Sequence, residues 1–282
     1  MEISSTAQSS NSSDTRPRKA LGQHFLIDSG VLEQIVSAAQ LDPHDLVLEI
    51  GPGTGALTRY LVASGARVIA IELDSNLAAS LPGRLGNPPN LTVVEGDARS
   101  LDLRPCLGSE SNYKVVGNLP YYAANPIIRR FLELDTQPKL IVATLQEEVA
   151  HTITAAPGKM GLLSVAVQYY ANAHLVCSVP PQAFQPPPKV TSAVIRLDIR
   201  DAPAVNVDDP NGFFDLVRAG FSSPRKQLRN SLAHGLGVST ETVGELLTRI
   251  ELDGSRRPAT LCLEEWAIVY RAWLGSSQTA DE

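Results

Sequence analysis

A glycine-rich turn and three later groups of polar residues carry the chemistry legible in this chain. Glu49-Ile50-Gly51-Pro52-Gly53-Thr54-Gly55-Ala56 runs from an apolar stretch into a helical pattern. Glycines at such a place let the backbone turn tightly and let a ligand approach bare main chain. Glu72 closes the next apolar stretch, and its two carboxylate oxygens can accept hydrogen bonds from the two hydroxyls of a ribose. The same string satisfies G-x-G-x-x-A, with Glu72 at about the spacing of the ribose-binding acid of dinucleotide enzymes, so these two features alone also fit a nicotinamide oxidoreductase. Glu95-Gly96-Asp97-Ala98 tips the balance, because Asp97 can accept from an adenine amino group. Asn118-Leu119-Pro120-Tyr121 follows. Polar groups at four successive strand ends describe a crevice that wraps a nucleoside and presents something reactive beside it.

The elements that must deliver those groups are visible as short apolar runs: residues 46–50, 67–72, 91–96, 113–118 and 139–145. They alternate with helical patterns, the signature of a parallel sheet with crossover helices, and their near-continuous apolarity predicts strands covered on both faces. A helix is expected from about Gly55 to Ser64, with Gly65 just beyond its end. Another is expected to begin at Asn125-Pro126, with Asn125 capping it. Val31, Leu32, Ile35, Val36 and Ala39 mark an amphipathic helix in front of the sheet. Residues 174–179 and 191–199 read as two more strands around a proline-rich loop, hence an antiparallel hairpin at the sheet edge. After Asp201 the pattern is helical, near 211–221, 224–235, 239–250 and 263–274. The fold class is therefore α/β: a Rossmann-like, mostly parallel sheet with an antiparallel edge hairpin, followed by a small all-helical C-terminal domain. The boundaries read as a serine-rich tail at 1–15, expected to be disordered, a catalytic domain at 16–201 and a helical domain at 202–282.

Asn118-Leu119-Pro120-Tyr121 resembles the motif after the fourth strand of class I S-adenosylmethionine-dependent methyltransferases that modify exocyclic amines of bases. Those enzymes carry Asn, Asp or Ser, then Pro or Leu, then Pro, then Tyr or Phe. An adenine amino group is a poor nucleophile because its lone pair is delocalised into the ring. Two acceptors on its N–H bonds hold it in the pyramidal geometry needed for attack. The side-chain oxygen of Asn118 and the carbonyl of Leu119 suit that role, and Pro120 stiffens the turn. Tyr121 offers a ring on which an extracted base stacks. The leaving group is neutral, so orientation suffices and no strong base is needed.

Residues 18–26, RKALGQHFL, and 181–197, PQAFQPPPKVTSAVIRL, together with FSSPRKQLRNSL at 221–232, resemble signatures of the ribosomal RNA adenine dimethyltransferase family. The likeness runs from about Arg16 to Trp273 and is greatest to the small-subunit (16S) type. It implies S-adenosyl-L-methionine as cofactor and dimethylation of two neighbouring adenosines near the 3′ end of 16S rRNA, in the 30S ribosomal subunit precursor. It also implies that His24 and Leu26 touch the cofactor, that Gly51, Gly53, Glu72, Asp97 and Asn118 complete its site, and that Phe184 forms the second aromatic wall of the base pocket, opposite Tyr121. Two residues depart from the family pattern. Ala124 stands where relatives often carry a hydroxyl, and Ser223-Pro224-Arg225-Lys226 stands where many read Q-R-R-K. A 23S rRNA methyltransferase is the nearest alternative within the family. A nicotinamide oxidoreductase explains neither Asn118–Tyr121 nor the basic segment, and a non-enzymatic RNA-binding factor leaves the cofactor motifs without a purpose.

The chain of 282 residues has 30 acidic and 24 basic side chains, a net charge of -6, which argues against gripping polyanions by bulk charge. With 43% hydrophobic and 19% charged residues it has the makings of an ordinary globular core. Cys106, Cys177 and Cys262 lie far apart and are odd in number, so neither a disulfide framework nor a metal cluster is expected. No run has the length of a membrane helix, and the N-terminus lacks the apolar core of a secretory signal, so a cytoplasmic protein is expected; nothing in the sequence calls for more than a monomer. Four basic residues, Arg218, Arg225, Lys226 and Arg229, fall between Leu216 and Leu232 with no acid among them. They are expected to form a stripe that binds RNA phosphates, which Arg16, Arg18, Lys19, Arg129 and Arg130 would extend. Residues 241–265 instead hold six acids against three bases.

Overall fold

A computed structural model describes residues 23–278; the expectations for the tail and for Arg16, Arg18 and Lys19 lie outside the described residues. In chain order the elements are β1 (Phe25–Leu26), α1 (Ser29–Ala39), β2 (Leu46–Ile50), α2 (Ala56–Ala63), β3 (Arg67–Glu72), α3 (Ser75–Arg84), β4 (Leu91–Glu95), α4 (Arg104–Leu107), β5 (Tyr113–Asn118), α5 (Ala124–Glu133), β6 (Leu140–Gln146), α6 (Glu147–Ile153), α7 (Leu162–Tyr170), β7 (Ala171–Val179), β8 (Phe184–Gln185), β9 (Ser192–Ile199), α8 (Pro210–Gly220), α9 (Leu228–Leu236), α10 (Thr240–Arg249) and α11 (Leu263–Gln278).

The main sheet has the order β4-β3-β2-β5-β6-β9-β7. β4 to β6 are parallel, and β9 and β7 are the antiparallel pair at the other edge. The order reverses between β2 and β5, and in open α/β sheets a crevice opens outside the carboxyl ends of the strands at such a switch point. β2 and β5 lie so close there that a Cβ on Gly117 would sit 2.6 Å from the carbonyl oxygen of Ile50. Only glycine permits that approach.

Each face of the sheet carries its own core. Leu48, Ile50, Val115, Ile128 and Phe131 belong to one, and Val47, Val68, Val116, Leu32 and Leu61 to the other. Burial on both faces holds for β2, β3, β5 and β6, but β4 is half-exposed, because it is the outermost strand on its side. A third core, built on Phe213, Leu216, Leu232, Leu246 and Trp266, fills the C-terminal helices and includes Val165 and Tyr169 of α7. Ala204 N–H donates to the Tyr169 carbonyl at 2.8 Å, and Gly158 N–H to that of Ala259 at 2.8 Å. The helical region is thus packed onto α7 rather than separated cleanly at Asp201.

Two helix starts differ from expectation. α5 begins at Ala124, with Ala123 as an N-cap that makes no side-chain bond, so Asn125 is inside the first turn and does not cap it. Ala123 N–H donates to the Pro120 carbonyl at 2.9 Å, and that turn starts the helix two residues early. The helix expected from 224 begins only at Leu228. Pro224 disfavours helical backbone at Ser223, and the preceding turn is closed by Ser231 Oγ donating to the Ser223 carbonyl at 2.6 Å.

Candidate active site

The carboxyl ends of β2, β3 and β5 and the segment at β1 enclose one cleft, lined by Gln23, His24, Phe25, Gly51, Gly53, Glu72, Leu73 and Asn118 to Tyr122. The turn after β2 is possible only for its sequence: Gly51, Gly53 and Gly55 have φ of 67°, 58° and 90°, a region that residues with a Cβ avoid. Gly53 also accommodates the Phe25 ring, which would lie 2.9 Å from an added Cβ.

Glu72 is only 5% exposed. Its Oε2 accepts from Gly53 N–H and its Oε1 from Asp74 N–H, both at 2.9 Å. These bonds fix the carboxylate beside the glycine turn and leave each oxygen a further lone pair. Burial raises its pKa, opposed by those same main-chain donors.

Asn118 is oriented by a partner that only accepts: its Nδ2 donates to the His24 carbonyl at 2.8 Å. That bond assigns the amide, so Oδ1 remains as an acceptor. Leu119 N–H donates to the Thr144 carbonyl at 3.1 Å, while the Leu119 carbonyl receives no main-chain donor among the described residues. Tyr121 is pinned through its hydroxyl, 2.6 Å from Ser192 Oγ, and burial pushes its phenol pKa up, so it stays neutral at physiological pH.

The ring facing Tyr121 is His24, at a centroid distance of 5.8 Å and an interplanar angle of 25°. His24 Nδ1 lies 2.7 Å from the Pro186 carbonyl and must carry the proton of that bond. Phe184, expected opposite Tyr121, is instead 3% exposed and packed in the core. It pairs with Leu26 in a two-stranded ribbon of β1 and β8. Leu26, 4% exposed, belongs to the same core. Neither residue lines the cleft; the ribbon they form holds the flanking His24 and Phe25 over it.

Asp97 is also outside the lining residues. Its Oδ1 accepts from the main-chain N–H and Nε of Arg99, and its Oδ2 from Nε and Nη2, at 2.6 to 3.0 Å. The guanidinium holds the Asp97 carboxyl below the usual range. Three of its roughly four lone-pair sites are engaged by Arg99, so an adenine amino group would share the carboxylate with that guanidinium.

Glu49 was not singled out from the sequence, although an acid inside the apolar run LVLEI was a signal. It is 1% exposed and both its oxygens lack a hydrogen-bond partner. Burial, opposed by the Thr58 hydroxyl and reinforced by the charge of Glu72, pushes its carboxyl up to about 8, so its neutral form is favoured at neutral pH. Glu49 does not line the cleft; Glu72, beside a turn of bare main chain, is the acid placed to accept from a ligand that carries hydroxyls.

The four basic residues do not form one stripe. Arg218 on α8 is paired with Asp215 at 2.6 Å. Arg229 lines a groove shared with Glu241, Glu245 and Asp253. Arg225 and Lys226 sit exposed in the turn before α9, without an ion-pair partner among the described residues. Arg129 is paired with Glu133 at 2.7 Å, and Arg130 donates to the carbonyls of Ala98 and Leu101, which makes it a brace for that loop.

The model of the family described as ribosomal RNA adenine dimethylase matches residues 15–256. A protein named ribosomal RNA small subunit methyltransferase A from Dehalococcoides mccartyi is 44% identical over 90% of this chain and 87% of its own length. Its namesake from Pelotomaculum thermopropionicum is 43% identical over 92% of each chain. Among solved structures, a dimethyladenosine transferase from Plasmodium falciparum shares the fold with a TM-score of 0.76 at 24% identity, covering 90% of this chain and 98% of that one. The 23S rRNA methyltransferase ErmE superposes with a TM-score of 0.71 at 28% identity, over 88% of this chain and 98% of that one. A match across the catalytic sheet and most of the C-terminal helices, joined to relatives of this identity along almost the whole chain, shows that the chain belongs to the ribosomal RNA adenine dimethylase family.

Proposed function

We propose that this chain transfers methyl groups from S-adenosyl-L-methionine to N6 of two adjacent adenosines near the 3′ end of 16S rRNA. The observation that carries this reading is the orientation of Asn118, whose N–H is spent on the His24 carbonyl and whose oxygen stays available next to the Leu119 carbonyl. Two acceptors side by side hold an amino group by its two N–H bonds and aim its lone pair; Tyr121, pinned through Ser192, supplies the face against which the base rests. When bound, the cofactor supplies an electrophilic methyl group and a neutral leaving group. Glu72 holds its ribose through the lone pairs that Gly53 and Asp74 leave open, the backbone at Gly51 and Gly53 lies against it, and His24 and Phe25 close the cleft from the β1 side. The amine proton passes to water after transfer.

Small-subunit rRNA is favoured over 23S rRNA by the relatives' names: those at 44% and 43% identity are small-subunit enzymes, whereas the 23S enzyme is 28% identical. Arg225 and Lys226 contact RNA phosphates in this reading, and Arg218 and Arg229 contribute only where RNA displaces their acidic neighbours. The substrate is 16S rRNA or the 30S precursor that contains it, the protein acts as a cytoplasmic monomer, and the catalytic and helical domains meet near Asp201. Among the described residues no helix is long and apolar enough to cross a membrane.

Methyl transfer from labelled cofactor to purified 30S particles, naked 16S RNA and 23S RNA tests the reading. N6,N6-dimethyladenosine is expected in the small-subunit RNA alone. Label in 23S RNA instead would replace the proposal by its nearest alternative, and no label in any RNA would refute both.

A further inference from the structure

Next to Tyr121 stands a second tyrosine that the chemistry above leaves without a task. Tyr122 lines the same cleft, yet its side chain is 50% exposed and its hydroxyl makes no hydrogen bond among the described residues. An aromatic ring half in water beside a base pocket is unusual enough to call for an account, and its support shows that it is not a loose surface residue. The Arg99 guanidinium lies over the ring, 5.7 Å from its centroid, within the range of a cation–π contact. Arg99 is itself fixed to Asp97 through Nε and Nη2. Arg130 of α5 ties down the same loop by donating to Ala98 and Leu101. Tyr122 therefore rests on a layered support from the end of β4, with half of its surface left to solvent.

We propose that the exposed surface of Tyr122 is a stacking platform for the base that neighbours the target adenosine in single-stranded RNA. This rests on the reading of Asn118 to Tyr121 as the site that receives the target base. A strand that delivers one base to Tyr121 must carry its next base past the adjacent residue, and the exposed aromatic surface there, among the described residues, is the part of the Tyr122 ring that Arg99 leaves open. Every base has a π-face, so such a platform accepts any neighbour and acts by stacking rather than by reading sequence. Arg99 carries little free charge, since Asp97 neutralises it, so the contribution is insensitive to salt, unlike a phosphate contact. Tyr122 is a positioning residue: it aligns the strand and touches no reacting atom.

The test uses the full-length protein with Tyr122→Ala and Tyr122→Phe. The RNAs are small-subunit rRNA fragments with a normal or an abasic nucleotide on either side of the target. Initial rates of the first methyl transfer give KM and kcat, and calorimetry gives cofactor affinity. Tyr122→Ala should raise KM for the normal RNA by about 5- to 150-fold, the range one stack carries, with a smaller change in kcat, the same cofactor affinity and the same salt slope. Tyr122→Phe should restore KM, because it keeps the ring. One of the abasic RNAs should weaken wild type by a similar factor and weaken Tyr122→Ala no further. Equal losses for wild type and Tyr122→Ala on both abasic RNAs would overturn the proposal. So would an unchanged KM, or a Tyr122→Phe variant as impaired as Tyr122→Ala. Failure of wild type to methylate any adenosine RNA would remove the parent reading and this one with it.

Discussion

Exchanging Glu49 for glutamine separates the burial of this side chain from its charge, and the structure sets the size of the effect. The carboxyl is 1% exposed with no partner on either oxygen. In the unfolded chain it ionises near pH 4.5, and in the native protein only near 8. A group whose native pKa is raised gives its full contribution to stability below the unfolded value and loses it as pH climbs through the native one. Inside that window the loss is about 1.4 kcal/mol per pH unit, or about 5 kcal/mol across it. That is a large share of the roughly 5–15 kcal/mol by which a domain is usually stable. Glutamine keeps the shape and does not ionise; with the Thr58 hydroxyl as an acceptor for one of its two amide N–H groups, the other left buried and unpaired costs about 1–3 kcal/mol, which does not change with pH. Urea unfolding from about pH 5 to 9 should show wild type the more stable at the acid end and Glu49→Gln the more stable at the alkaline end, the curves crossing between. A difference independent of pH over that range would refute the reasoning, because it would mean that Glu49 folds already ionised.

Asn118→Ala should lower kcat for methyl transfer by about 10²–10³-fold, the usual cost of losing one preorganised polar contact to a reacting group, while cofactor affinity measured by calorimetry changes only a few-fold. Retained activity would remove Asn118 from the reaction. Arg225→Ala with Lys226→Ala should weaken RNA binding and reduce the slope of log K against log salt by about two; an unchanged slope in filter-binding titrations would show that this turn meets no phosphate. Gly117→Ala should cost about 1–3 kcal/mol in urea unfolding, because the new Cβ meets the Ile50 carbonyl at 2.6 Å. Wild-type stability would contradict the close approach of β2 and β5.

Strand ends and the groups they carry were readable because both signals are local. Apolar runs place β2, β3 and β5 within a residue of where they are found, and Gly51, Glu72 and Asn118 to Tyr121 converge because parallel strands in register bring their carboxyl ends together. What escaped depends on partners distant in sequence. The type of Phe184 suited a base wall, but its burial is set by pairing with Leu26 across the chain, and nothing near 184 encodes that. α7 was invisible as part of the helical core, since Val165 and Tyr169 meet Phe213 and Trp266 only in the folded molecule. The Asp97–Arg99 pair lay within reach of inspection, two residues apart, and shows that an acid at a strand end has to be weighed against the nearest cation before it is given a ligand.

The same rule governs the charges. Counting bases between Leu216 and Leu232 suggested a four-charge stripe, but Asp215 lies just before that window and pairs with Arg218, and Glu241, far beyond it in sequence, faces Arg229 across a groove. Of the four, only Arg225 and Lys226 have no acid paired with them or facing them among the described residues, and Pro224 puts them in a turn rather than along a helix. A phosphate seated there is held by charges that no acid neutralises, whereas one placed on α8 must first displace Asp215. In the proposed reading, these two contacts account for the release of about two counterions. Placement of the target base then falls, in the same reading, to the cleft itself, where Asn118 is held by the His24 carbonyl and Tyr121 by Ser192 before RNA arrives.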